Sequence, residues 1–220
     1  MSFVISTYSV KVNDTDSVSA EVYLPPSPKS IYVFAHGAGA GMNHAFMKEL
    51  SEALADHQIA TLRYNFLYME QKKKRPDSPT VAHKAVEAAI QKAHELFPKL
   101  PLLAGGKSFG GRMTSRFLSS NHDAKVKGIV FVGFPLHPEG KPSVDRAAHL
   151  RNVKLPMLFL QGTKDTLAEW GLIEQVCSEL PLSKLIRLEG ADHSFKATKK
   201  QNPIPVLASE ISQWIDVKLK

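Results

Sequence analysis

Leu100-Pro101-Leu102-Leu103-Ala104-Gly105-Gly106-Lys107-Ser108-Phe109-Gly110-Gly111 decides the reading of this chain. A short apolar run meets glycines, then a serine, then a stretch with helical character. The pattern predicts a buried strand over Leu100–Ala104 and a helix over Ser108–Ser119. Between them, Gly106-Lys107-Ser108-Phe109-Gly110 satisfies G-x-S-x-G at the strand-to-helix junction where that pattern has meaning. A serine hydroxyl stands clear of a sheet only on a very sharp turn. The residues two before and two after it then pass too close for side chains. The same turn leaves the first amides of the helix without intrahelical acceptors, so the N–H of Phe109 can face a developing oxyanion. Two rival readings exist. A phosphate-binding P-loop ending at Gly106-Lys107-Ser108 needs glycine five positions earlier, where Pro101 stands. A glycine-rich turn without chemistry remains the bland alternative.

A serine hydroxyl is a poor nucleophile without a base, and the base needs an orienting acid. Both are sought further along the chain, on loops that leave strands. The apolar run Leu155–Leu160 is followed by Gln161-Gly162-Thr163-Lys164-Asp165, which puts Asp165 just past a buried strand. Lys184–Leu188 is followed by Glu189-Gly190-Ala191-Asp192-His193, which puts His193 just past the last strand. Asp192 adjoins His193, but neighbouring loop residues point their side chains apart, so Asp165 is the expected acid. Upstream, His36-Gly37-Ala38-Gly39-Ala40-Gly41 supplies small, turn-forming backbone. It is no dinucleotide fingerprint, because position 42 is Met42. Ala38 is the expected second oxyanion donor, with Gly37 and Gly39 as alternatives, and His36 reads as a buried hydrogen-bonder that holds this loop. Phe46, Met47, Tyr64, Phe66, Tyr68 and His137 are the expected pocket walls.

Working outward, the rest of the chain repeats one grammar. Phe3–Val12 and Ser17–Leu24 are extended segments joined by the turn residues Asn13–Asp16. Strands over Ile31–Ala35, Ile59–Tyr64, Val126–Phe134, Leu155–Leu160 and Lys184–Leu188 alternate with helices over Asn43–Asp56, Thr80–Phe97, Leu167–Leu180 and Pro205–Leu219. Apolar strands alternating with helices predict a mostly parallel sheet of about eight strands, covered on both faces. The long stretches Asn65–Pro79 and Pro135–Ser143 follow strand ends, where open α/β sheets bind ligands.

The 220 residues are 43% hydrophobic, enough for one domain spanning 1–220. Such a chain buries roughly 70% of its unfolded surface and needs no disulfides. The single cysteine, Cys177, excludes disulfide scaffolds and zinc clusters. No apolar run reaches membrane length, and Met1–Ile5 shows no basic region leading a signal peptide, so a cytoplasmic protein is expected. The net charge of +7 is scattered except at Lys72-Lys73-Lys74-Arg75, which reads as a solvated loop, so no nucleic-acid partner is expected.

Taken together, His36–Gly39, Gly106–Gly111, Gly133–Pro138, Leu160–Asp165 and Gly190–Phe195 resemble the α/β-hydrolase superfamily over nearly the whole chain. They resemble its small capless branch, similar to dienelactone hydrolases and also to a testis-expressed eukaryotic protein and a chromatin-complex subunit. The resemblance implies a triad of Ser108, Asp165 and His193. It departs from dienelactone hydrolases proper, which carry Cys where Ser108 stands. Only Pro135–Val153 separates two strands at the position where larger relatives insert a cap, so no cap domain is expected. The expected activity is a serine hydrolase acting on a small ester or thioester, without metal or cofactor, as a monomer or small homo-oligomer. A non-enzymatic binding or scaffold module on the same fold is the alternative.

Overall fold

The computed structural model describes residues 3–122, 125–197 and 202–218. Its first strands, β1 (Val4–Lys11) and β2 (Ser17–Leu24), form an antiparallel hairpin. Asn13 closes the turn, its Oδ1 accepting from the N–H groups of Thr15 (2.9 Å) and Asp16 (2.8 Å). The chain continues as β3 (Ser30–Ala35), α1 (Ala45–Asp56), β4 (Ile59–Tyr64), the single turn α2 (Leu67–Glu70), and α3 (Pro79–Leu96). After these come β5 (Leu102–Lys107), α4 (Phe109–Leu118), β6 (Val126–Val132), a 3-10 segment Asp145–Asn152, and β7 (Met157–Gly162). The last elements are α5 (Trp170–Ser178), β8 (Ser183–Leu188) and α6 (Ile204–Lys218). They build one eight-stranded sheet in the order β1-β2-β4-β3-β5-β6-β7-β8. β2 pairs antiparallel to β4, and every pair from β4 onward across the sheet is parallel.

The strands are apolar throughout because both faces are covered. On β3, Ile31, Val33 and Ala35 pack into one cluster with Ala85 and Ala89 of α3, Met113 and Phe117 of α4, and Ile173 of α5. The alternate residues Tyr32 and Phe34 pack into the other, with Leu50 and Leu54 of α1 and Leu207, Ile211 and Trp214 of α6. Each large apolar side chain so buried contributes about 1.5–3 kcal/mol before entropy is charged against it.

Several boundaries differ from the sequence reading for physical reasons. β5 runs on through Gly105, Gly106 and Lys107, because these glycines are ladder residues, paired with Phe34 and Ala35 of β3. A Cβ on Gly105 would lie 2.0 Å from the Val130 carbonyl oxygen, and one on Gly106 would lie 2.3 Å from that of Ala35. Glycine there marks close strand approach rather than a strand end. The long stretch after β4 is tied down: Glu70 Oε1 accepts from the Ser19 N–H (2.9 Å), and Asp77 Oδ2 from the Tyr68 N–H (3.1 Å). α5 is shorter than Leu167–Leu180, because the turn after Asp165 occupies Leu167 and Ala168. The expected end of the last helix at Leu219 lies outside the described residues. Between β6 and β7 the chain forms only loop and the 3-10 segment, so no cap covers the sheet edge. None of the described helices is long and apolar enough to cross a membrane.

Candidate active site

Ser108 sits between β5 and α4 at φ +50°, ψ −116°. A left-handed φ on a non-glycine residue costs on the order of 1–3 kcal/mol and persists only where the surroundings enforce it. Here they do. Gly106 passes against the backbone of Ala35, and a Cβ on Gly110 would fall 2.6 Å from the carbonyl oxygens of both Ala35 and His36. The elbow is therefore clamped onto the end of β3, and the serine hydroxyl is lifted off the sheet.

β7 and β8 end at the same edge. His193 Nε2 lies 2.8 Å from Ser108 Oγ, and its Nδ1 lies 2.7 Å from Asp165 Oδ2. A carboxylate only accepts, so Nδ1 carries the proton and Nε2 is left to accept from the serine hydroxyl. Asp165 is almost fully buried, yet its oxygens are well supplied. Oδ2 also accepts from Gln161 Nε2 (2.6 Å), and Oδ1 accepts from the Leu167 N–H (2.8 Å). The Gln161 amide is itself oriented, since its Oε1 accepts from the Phe134 N–H (2.8 Å). Asp192 turns away: its Oδ1 accepts from the N–H groups of Ser194 (2.8 Å) and Lys196 (2.9 Å), so it braces the loop that carries His193.

The loop after β3 lies alongside Ser108, and a Cβ on Gly37 would be 3.6 Å from that of Ser108. His36 is buried and holds it. Its Nε2 accepts from the Phe66 N–H (3.2 Å), so its Nδ1 donates to the Gly37 carbonyl (2.7 Å). Burial pushes its pKa down to about 4, which makes it neutral at pH 7. Gly39 donates its N–H to Tyr68 Oη (3.0 Å), which removes it as a free oxyanion donor. Ala38 and Gly37 remain, and both line the cavity beside Ser108. Phe109 opens α4, so its N–H has no acceptor within the helix.

A cavity of about 350 Å³ lies over Ser108 and His193, walled by Phe46, Met47 and Leu167. Phe46 and Met47 stand where the sequence reading put them. Tyr64, Phe66, Tyr68 and His137 do not line the cavity, and that expectation is corrected. Tyr64, Phe66 and Tyr68 are buried in the core, where Phe66 meets the rings of His36 and Phe109 edge-on. His137 is buried as a cross-link, its Nε2 accepting from the Glu169 N–H (2.9 Å) and its Nδ1 donating to the Pro138 carbonyl (2.9 Å). These residues shape the site from behind it.

Lys107 was missed by the sequence reading. Its stem lines the cavity, and its ammonium donates to the His193 carbonyl and lies 4.9 Å from the centre of the Phe195 ring. Burial pushes its pKa down to about 8, opposed by Asp165 and Asp192. Phe195 itself is held at φ +63°. The signal was a cation next to the elbow serine at the end of an otherwise apolar strand.

The sheet order, the strained serine at the β5–α4 junction and the capless edge define an α/β hydrolase. The profile of the alpha/beta hydrolase domain family matches residues 28–215, and the chain belongs to that family. Solved structures with the same fold include dienelactone hydrolase from Anabaena variabilis, at 19% identity and TM-score 0.79 over 99% of both chains. The esterase domain of a Rhodothermus marinus protein is 17% identical, with TM-score 0.75 over 99% of this chain and 100% of that one. XC6422 from Xanthomonas campestris, described as an α/β serine hydrolase without lid, is 16% identical. Its TM-score is 0.74 over 97% of this chain and 94% of that one.

Proposed function

We propose that this chain is a serine hydrolase of the carboxylesterase or thioesterase type, cleaving a small ester or thioester through an acyl-enzyme. The observation that carries this reading is the unbroken relay from Ser108 Oγ to His193 (2.8 Å) to Asp165 (2.7 Å), set beside free helix-start amides. Ser108 Oγ attacks the carbonyl carbon while His193 Nε2 takes its proton. The oxyanion is held by the N–H groups of Phe109 and Ala38. The imidazolium, supported by Asp165, returns the proton to the leaving alcohol or thiol as the carbonyl re-forms. Water then repeats the cycle on the acyl-serine, activated by the same nitrogen. The residues present suffice for this chemistry without a cofactor. A cavity of about 350 Å³ lies at the small end of ligand sites, which favours short acyl groups.

A fluorophosphonate probe tests the reading: it should label wild type and spare Ser108→Ala. p-Nitrophenyl esters of increasing length, run beside acyl-CoA thioesters, should show kcat/KM highest for short acyl chains. A folded wild type that never labels overturns the enzyme reading in favour of a binding module. Peak activity on long-chain lipid with interfacial activation overturns the size assignment.

A further inference from the structure

Away from the Ser108 cavity, three arginines and two histidines from three elements lie together, joined by the Ser115–His149 hydrogen bond and the His83–Phe117 ring contact. They are His83 of α3, Arg112 and Arg116 of α4, and Arg146 and His149 of the 3-10 segment. The Arg112 guanidinium interacts with those of Arg146 and Arg116, while His149 feels Arg116, Arg112 and His83. The group is structurally fixed. Ser115 Oγ holds His149 Nε2 at 2.8 Å, and the His83 ring lies 6.1 Å from that of Phe117.

Among the described residues no carboxylate forms an ion pair with it. Among the described residues the arginine ion pairs are Arg63–Glu21, Arg151–Glu179 and Arg187–Glu189. The guanidiniums of Arg112, Arg116 and Arg146 bond to no carboxylate and no backbone carbonyl among those residues. Arg112 Nε and His83 Nε2 are buried with no hydrogen-bond partner. A half-buried guanidinium that faces two others, with its Nε dry and unpaired, is costly for the protein alone. Burial and its two neighbours push its pKa down to about 10. A buried donor without a partner costs about 1–3 kcal/mol, and like charges add to that. A fold that retains such a cluster gains from an anion that fills it.

We propose that Arg112, Arg116 and Arg146, with the unpaired His83 Nε2 beside them and His149 as a neutral brace bonded to Ser115, form a binding site for a phosphate group carried by a small molecule. The chemistry selects phosphate over carboxylate. Three guanidiniums exceed what one carboxylate neutralises, whereas a phosphate monoester brings a charge of about −1.5 to −2 and three acceptor oxygens. Guanidinium forks match those oxygens pairwise. The Arg112 N–H donates to the Ser108 carbonyl (3.1 Å), one turn along α4, so the site begins about 6 Å from the elbow. It is distinct from the cavity, whose lining contains none of the five. The assignment does not depend on Ser108 being a nucleophile.

The test is calorimetric titration of the folded chain with pyrophosphate. Wild type should bind saturably, more weakly at higher salt. Arg112→Met and Arg146→Met should each weaken binding on the order of tenfold or more. Lys73→Ala and Lys74→Ala, on the exposed loop, should leave it unchanged. Without ligand, Arg112→Met should melt at or above the wild-type temperature, because it removes repulsion and an unpaired donor. Equal, non-saturating binding in all variants overturns the site, as does a clear fall in melting temperature for Arg112→Met without loss of binding. Displacement of pyrophosphate by an oligonucleotide lacking terminal phosphates overturns the small-molecule assignment.

Discussion

Replacing Asp165 by Asn swaps one oxygen for an NH2 group of nearly the same shape, and the hydrogen bonds around it fix the consequence. Three donors point at the carboxylate: His193 Nδ1 and Gln161 Nε2 at Oδ2, and the Leu167 N–H at Oδ1. An amide NH2 at the Oδ1 position would face the Leu167 N–H, donor against donor. At the Oδ2 position it would face both the Gln161 amide and the imidazole. Gln161 cannot turn to meet it without abandoning the Phe134 N–H. In that second orientation the imidazole responds by moving its proton to Nε2, which then donates toward Ser108 and can no longer accept its proton. Losing the acid in a Ser-His-Asp site through the wrong tautomer costs about 10⁴ in kcat, or about 5 kcal/mol.

Steady-state turnover of a short p-nitrophenyl ester by Asp165→Asn should therefore fall by 10³ or more, on the order set by that tautomer effect, with KM little changed. The rate of fluorophosphonate labelling should fall in parallel. Melting temperature separates this from unfolding, since the frustrated donor costs only about 1–3 kcal/mol. Asp192→Asn keeps an oxygen for the Ser194 and Lys196 N–H groups. It should lose less than about tenfold. Near-normal turnover in Asp165→Asn, or a crippled Asp192→Asn, refutes the assignment of the acid.

Gly110→Ala would push a methyl to 2.6 Å from two carbonyl oxygens at the clamp on β3. It should lower stability by about 1–3 kcal/mol in urea unfolding and abolish Ser108 labelling, and a neutral effect would mean the elbow is not clamped. Lys107→Met removes the ammonium that holds the His193 carbonyl. It should drop kcat on the order of 10² with KM nearly unchanged, and a selective rise in KM would show that Lys107 instead binds substrate. His36 and His149, each pushed to about 4 from 6.5, set a pH dependence. The unfolded chain takes up protons first as pH falls, so the stability of their neutral state is full above about 6.5 and lost progressively toward 4. Urea midpoints between pH 7 and 4.5 should fall accordingly, less steeply in His149→Gln, and an equal slope in that variant would assign the acid lability elsewhere.

The residues legible in the sequence are those that topology fixes. Ser108, Asp165 and His193 each stand just past a strand, and parallel strands deliver their ends to one edge whatever the side chains between them do. Finding the strands was therefore enough to bring the three together. Wall residues obey a different rule, because they depend on which way a loop folds after its strand has ended. Tyr64 ends β4, and Phe66 and Tyr68 follow it in a stretch that reads as a functional loop. Glu70 and Asp77 pin that stretch down onto the Ser19 and Tyr68 amides, and the rings go inward. The Glu70 bond joins distant segments and the Asp77 bond folds the stretch back on itself, and no periodicity announces either. The same reasoning explains Lys107. A strand extended through two glycines puts it on the sheet edge, and only the meeting of β5 with the loop after β8 gives its ammonium the His193 carbonyl. Motif position thus predicts which atoms can react, while the burial of neighbours such as Tyr68 determines how firmly the oxyanion loop is held around them.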